Sequence, residues 1–143
     1  MTTTHADPPA ATAPSRPRVT RVLLVVVLAL HAALAVLQPI FAGSYLSGSI
    51  DAMTVHGISG SLVTVVCLAQ LVVAALFWRP GRGPAWPLLA TVALFLAEGV
   101  QLGVGYTRTL AIHLPLGVAI VGCTVAMFIW SLAWRPAAPE VRP

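Results

Sequence analysis

Four apolar stretches of about 20 or more residues each constrain this chain more than any other feature. They run from Val19 to Ala42, Val55 to Trp78, Ala85 to Val104 and Ala111 to Trp134. A helix rises about 1.5 Å per residue, so each stretch can cross about 30 Å of hydrocarbon. With 58% hydrophobic residues, 8% charged residues and a mean hydropathy of +0.91, the chain has too little charge to cover a soluble domain. We therefore predict an all-α membrane protein, an up-down bundle of four transmembrane helices.

The segments outside the four stretches are short and polar. Residues 1–18 are rich in Thr, Ala and Pro, so we predict a disordered cytoplasmic tail, followed by a transmembrane domain at 19–135 and a short cytoplasmic tail at 136–143. The basic start of the first stretch resembles a signal peptide. However, its apolar run continues to Ala42, which is too long for a cleaved segment and favours a retained span.

The arginines predict the orientation in the membrane. Seven of them fall on one side of the predicted spans, and Arg108 alone falls on the other. The seven are Arg16, Arg18, Arg21, Arg79, Arg82, Arg135 and Arg142. Because basic residues accumulate on the cytoplasmic side, both termini are expected in the cytoplasm and the protein in the cell membrane. The net charge of +4 is then explained by the arginines on the cytoplasmic side of the membrane, so we expect no nucleic-acid partner.

Matching positions in the two halves of the sequence suggest an internal repeat of one helical hairpin. Trp78-Arg79-Pro80 and Trp134-Arg135-Pro136 end the second and fourth stretches, and the same interval of 56 separates Cys67 from Cys123. His56 and His113 are 57 positions apart. Repeats of this kind predict a pseudo-twofold axis along the membrane normal with a site between the halves. The alternative is coincidence among apolar segments that use few residue types.

His56 and His113 are the candidate ligands of a cofactor. Each lies near the outer start of an out-to-in helix and has a glycine four residues on, Gly60 and Gly117. Two imidazoles at equal depth suit bis-axial ligation of a b-type heme, with the glycines leaving space for the macrocycle and Arg108 pairing with its propionates. The alternative is that the histidines are wetted interfacial residues and the glycines allow close helix packing.

Other polar residues lie within the spans and require partners, because an unpartnered polar group in hydrocarbon is costly. His31 and Gln38 share one face of the first helix, and Glu98 and Gln101 share one face of the third. We expect His31 to hydrogen-bond to Glu98 or Gln101. A deeper metal centre at His31 and proton carriage by Glu98 remain open alternatives. Both cysteines fall in apolar runs, so we predict small buried residues and no disulfide framework.

These residues give the chain a resemblance to one four-helix half of the heme A synthase family. That family carries Gln-x-x-x-Gly at the outer end of a helix, matched by Gln101 and Gly105, and histidines matched by His56 and His113. The resemblance implies heme binding. The synthase, however, has two such units, and Met53 stands where its reactive half has Glu, so we do not predict the oxidation chemistry. The layout also looks like uncharacterised small four-helix membrane proteins of bacteria.

The hypothesis drawn from the sequence is a membrane protein that binds one heme b between helices 2 and 4, for electron transfer or heme handling. The alternatives are a proton-coupled small-solute transporter that uses Glu98 and His31, and a structural or assembly subunit without a ligand. Expected partners are the lipid bilayer, a membrane redox protein and a second copy of the chain. A homodimer would recreate the eight-helix layout of the synthase, with Gly99 and Gly103 on helix 3 as the interface.

Overall fold

A computed structural model describes residues 16–135, with side chains from residue 18 onward. The described part of the chain is four α-helices without a strand. They are α1 (Arg16–Leu46), α2 (Asp51–Trp78), α3 (Trp86–Tyr106) and α4 (Leu110–Ala133). All four are long and apolar enough to cross a membrane. The predicted tails lie almost wholly outside the described residues.

The predicted helices are confirmed, and two of them are longer than predicted. Helix α1 continues through Gln38-Pro39 to Leu46, and α2 already begins at Asp51, so their connection shortens to residues 47–50 from the expected 44–54. Residues 107–109 connect α3 to α4. The hydroxyls of Ser44 and Ser47 donate to backbone carbonyls one turn earlier, at Ile40 and Gly43. These bonds satisfy both hydroxyls at the C-terminal end of α1.

Each helix packs against two neighbours. Helix α1 contacts α2 and α4, and α3 also contacts α2 and α4. Helices α1 and α3 are therefore diagonally opposite each other, as are α2 and α4. The core between them is formed by buried apolar side chains that include Leu24, Leu28, Phe77, Leu94 and Met127. A residue on the inner face of any helix can thus meet a residue of the diagonal partner near the bundle axis.

The surface of the bundle differs from that of a soluble bundle, because large aliphatic side chains cover it while polar side chains of the spans are buried. His31, Gln70 and Thr91 are fully buried, whereas Leu30, Leu62 and other large aliphatic residues of all four helices are about half exposed. In water such a surface would drive aggregation, but in lipid the aliphatic side chains contact acyl tails and the polar ones find partners inside. The arrangement indicates a multi-pass membrane protein.

The connection between α2 and α3 is held tightly at one end of the bundle. A Cβ at Gly81 would collide with Thr20 and with the backbone carbonyls of Phe77 and Leu76, and one at Gly83 would collide with the Phe77 ring. Aromatic side chains pack together at this end. The ring centroids of Phe77 and Trp134 are 5.0 Å apart, and those of Trp86 and Trp130 are 4.4 Å apart. The glycines thus allow the loop to close over Phe77.

Candidate functional site

His56, on α2, points at the backbone of α1. Its Nδ1 lies 3.1 Å from the carbonyl oxygen of Gln38. Because a carbonyl oxygen can only accept, Nδ1 carries the proton and Nε2 carries the lone pair. The Gln38 side chain donates to Ser59 Oγ at 2.9 Å, one turn from His56, which ties the same two helices together again. The tautomer and direction of the His56 ring are therefore defined by α1.

His113, on α4, makes the matching contact with α3. Its Nδ1 lies 3.1 Å from the carbonyl oxygen of Gln101, and the Gln101 amide donates to the carbonyl oxygen of His113 at 3.0 Å. A Cβ added to Gly105 would come within 3.0 Å of the His113 ring. The spacing Gln101–Gly105 therefore has a physical basis: the glutamine provides the acceptor carbonyl, and the glycine one turn on leaves room for the imidazole.

The two imidazoles meet across the diagonal of the bundle. Their ring centroids are 6.1 Å apart, with an angle of 65° between the planes. Each ring donates its Nδ1 proton to a main-chain carbonyl, which is the common orientation of histidines whose Nε2 binds a metal.

Glutamine side chains lie over the two glycines predicted to make space for a macrocycle. A Cβ at Gly60 would lie 3.4 Å from Gln38 Oε1, and a Cβ at Gly117 would lie 2.8 Å from Gln101 Nε2. The histidine pair therefore presents two imidazoles from diagonal helices, and the Gln38 and Gln101 side chains occupy the space beside both glycines.

Arg108 lies at the same end of the bundle as the histidine pair. It is exposed in the loop of residues 107–109, with a φ of 55°. The Thr107 hydroxyl stands 3.0 Å from that of Thr109 in the same loop. Arg108 is thus an exposed cation in the loop that joins α3 to α4.

His31 and Glu98 form a second polar centre, deeper in the bundle. His31 Nε2 lies 2.8 Å from Glu98 Oε1, across the diagonal from α1 to α3, and the side chains are 0% and 3% exposed. The expected contact of His31 with Glu98 is confirmed. Gln101, the other partner considered, bonds to His113 instead. Gln38 is seven residues nearer the outer end of α1 than His31, so the two centres are about 10 Å apart along the helix.

Gln70 was missed in the sequence analysis, although it orients His31. His31 Nδ1 lies 2.7 Å from Gln70 Oε1, Gln70 Nε2 donates to Thr91 Oγ1 at 2.8 Å, and that hydroxyl donates to the Pro87 carbonyl at 2.7 Å. Because the Pro87 carbonyl can only accept, the Thr91 hydroxyl donates to it and accepts from the Gln70 amide. The Gln70 carbonyl oxygen then accepts from His31 Nδ1. The available signal was a single amide in the middle of an apolar helix.

The two cysteines have different environments. Cys67 is buried next to the deep centre, where its Sγ, His31 and Glu98 present ligand-type atoms within 4.8 Å of one another. Cys123 is exposed on α4, so the prediction of two buried cysteines is wrong for this one. The repeat interval of 56 matches their positions along the helices, but the two helices differ in which face they turn inward.

The helices and their polar centres define a four-helix membrane protein with a histidine pair near one end of the bundle and a buried His–Glu pair deeper inside. Comparison with protein-family models, with curated proteins and with solved structures finds no match.

Proposed function

We propose that this protein binds one b-type heme between α2 and α4 through His56 and His113, and serves electron transfer or heme handling in a membrane. The observation that carries the proposal is the matched bonding of the two rings. Both donate Nδ1 to the carbonyl of a glutamine on the preceding helix, at 3.1 Å in each case. Bound heme would supply reversible one-electron transfer.

Three sets of residues would hold the heme. His56 and His113 would present Nε2 lone pairs from opposite sides. Gly60 and Gly117 would leave space on the inner faces of α2 and α4 once the amides of Gln38 and Gln101 turn aside. The exposed Arg108, in the loop between α3 and α4, would pair with anionic propionates.

An absorbance spectrum of the purified protein in detergent or nanodiscs tests this function. We expect a Soret band and, after reduction, the sharp α and β bands of a six-coordinate low-spin heme. Expression with added heme precursor excludes simple shortage of the group. A colourless protein under these conditions would refute heme binding.

We further propose that the helices cross the cell membrane in up-down order as two repeated hairpins, with both termini in the cytoplasm. The arginine distribution supports the orientation, since Arg79, Arg82 and Arg135 lie at the end opposite the histidine pair. The paired contacts Gln38–His56 and Gln101–His113 support the repeat, because each lies between the two helices of one hairpin.

The deep centre favours a second candidate, a proton-coupled small-solute transporter. Gln70 Oε1 accepts the Nδ1 proton of His31, so the 2.8 Å contact between His31 Nε2 and Glu98 Oε1 holds one further proton. An amide does not titrate, and the row beyond Gln70 ends at the Pro87 carbonyl. The contact would hold a proton for transport, and no second titratable group lies along the row from Gln70 to Pro87. The same bonds also suit a ligand-free assembly subunit.

We also propose a homodimer through α3. Gly99 and Gly103 lie one turn apart and exposed, and a Cβ at either position would meet nothing within 4 Å. Small residues at this spacing let two helices approach closely in lipid. A membrane redox protein is the partner that heme-based electron transfer requires.

A further inference from the structure

We propose that His31, Cys67 and Glu98 form a binding site for a divalent transition-metal ion of the zinc type, separate from the histidine pair at the outer end. Three helices contribute one ligand each: α1 provides an imidazole, α2 a thiol and α3 a carboxyl group. Their ligand atoms all lie within 4.8 Å of one another. A tetrahedral zinc ion sets such atoms about 3 to 4 Å apart, so small side-chain rotations close the site.

The Glu98 carboxyl group is buried, and its hydrogen bonding within the described part of the chain is incomplete, which a bound cation would remedy. It is 3% exposed, and its Oε2 has no hydrogen-bond partner among the described residues. Its Oε1 lies 2.8 Å from His31 Nε2. A buried carboxyl oxygen without a partner costs free energy in hydrocarbon, and a cation between the three ligands would remove that cost.

The residues around His31 resemble the outer shell of a metal site. A metal-bound histidine donates its other ring N–H to an acceptor, which holds the ring in place. Here Nδ1 donates to Gln70 Oε1, and Thr91 holds the Gln70 amide in turn. Cys67 Sγ makes a long contact of 3.9 Å with the Thr91 carbonyl and also interacts with the Glu98 carboxyl group, so it already lies beside one of the other two ligands.

The charges favour a divalent ion over other cations. A thiolate and a carboxylate together carry two negative charges, which cancel those of a divalent ion, and the imidazole is neutral. A neutral complex is the form that hydrocarbon surroundings tolerate. The mixed nitrogen, sulfur and oxygen donors suit Zn²⁺ or Co²⁺, whereas Mg²⁺ and Ca²⁺ prefer oxygen ligands alone. Three protein ligands leave a fourth position for water or Glu98 Oε2.

Cobalt substitution tests the site directly, because thiolate-bound Co²⁺ has a charge-transfer band in the near ultraviolet and tetrahedral Co²⁺ has intense visible bands. The probe is CoCl₂ added to the full-length protein in detergent after chelator treatment. We expect both sets of bands in wild type and their bleaching by Zn²⁺. Cys67→Ser should lose the thiolate band, and Glu98→Gln should bind at least about 10-fold more weakly.

Matched variants distinguish the site from adventitious binding. Cys123→Ser removes the exposed cysteine and should keep the bands. The double variant His56→Ala/His113→Ala should keep them too, which separates this site from the proposed heme ligands. Zn²⁺ should raise the melting temperature of wild type and not of Cys67→Ser, since a metal joined to three helices stabilises the folded state. Absence of the bands in wild type, or their persistence in Cys67→Ser, would overturn the proposal.

Discussion

The imidazole rings of His56 and His113 lie with their centroids 6.1 Å apart, although α2 and α4 are diagonal to each other and make no close backbone contact. Each ring is held in place by a hydrogen bond from its Nδ1 to a main-chain carbonyl of the preceding helix. The main-chain carbonyls of Gln38 on α1 and Gln101 on α3 accept the Nδ1 protons, and the Gln101 amide nitrogen also lies 3.5 Å from His113 Nε2. Two ligands from opposite helices, each with its tautomer defined, are what a bis-histidine site requires.

The first prediction concerns these ligands. His56→Ala and His113→Ala should each remove most of the heme or convert its spectrum from low spin to high spin, because one axial ligand is lost. Added imidazole should restore the low-spin spectrum in the cavity left by either variant. The control is His31→Gln, which keeps a polar side chain between Gln70 and Glu98 and should retain the low-spin bands. Loss of heme in the control and retention in His56→Ala would mean that the ligand pair is wrong.

A second prediction follows from the room that Gly105 leaves for His113. Gly105→Ala places a Cβ 3.0 Å from the His113 ring and should displace it from the Gln101 carbonyl. Crowding of this kind costs about 1 to 3 kcal/mol, which should lower the melting temperature and heme affinity. Gly103→Ala is the matched control, since a Cβ there meets nothing within 4 Å. Equal stability of the two variants would contradict the role given to Gly105.

Substitutions of Glu98 should separate its hydrogen bonding from its charge. Glu98→Gln keeps a donor for His31 Nε2 and should fold with near wild-type stability. Glu98→Leu leaves that buried nitrogen unpaired, which costs about 1 to 3 kcal/mol. Thermal unfolding in detergent, followed by circular dichroism, measures both. A leucine variant as stable as wild type would show that the His31–Glu98 contact does not stabilise the bundle, and would strengthen the transporter hypothesis.

Membrane orientation can be tested by cysteine labelling in a Cys67→Ala/Cys123→Ala background. Cysteine at Ser47, exposed between α1 and α2, should react with an impermeant reagent added to intact cells. Cysteine at Ala133, exposed at the other end of α4, should react only after lysis. Gly81 is unsuitable as the inner site because any Cβ there collides with the backbone at Phe77. The opposite labelling pattern would reverse the proposed topology.

The α3 dimer leads to a further prediction. Gly99→Leu combined with Gly103→Leu should convert dimers to monomers in nanodiscs, because bulky side chains keep the two α3 helices apart. A Cβ added at either glycine meets no other described part of the chain within 4 Å, so the fold itself should tolerate the change. Gly122→Leu, at an equally open position on α4, is the control and should leave the dimer intact. A monomeric wild type at all protein concentrations would exclude the dimer.

The sequence by itself determined the helices and the identity of most polar residues in the two centres. A stretch of apolar residues long enough to cross a bilayer must form its backbone hydrogen bonds internally, because lipid offers no partners. A helix meets this requirement, so the four spans could be predicted directly. Depth along each helix could also be predicted, because it follows from position in the chain. The matched depth of His56 and His113 and the contact of His31 with Glu98 were expected on this basis.

Only the tertiary structure decided which side chains meet and which atoms they use. The rotation of each helix about its axis determines which residues face inward, and packing against two neighbours sets that rotation. It brings Gln70 and Cys67 to the deep centre and leaves Cys123 exposed, although the cysteines match in the repeat. It also places the Gln38 and Gln101 side chains over Gly60 and Gly117. Apolar helices lack the polar face that would reveal this rotation in the sequence of a soluble bundle.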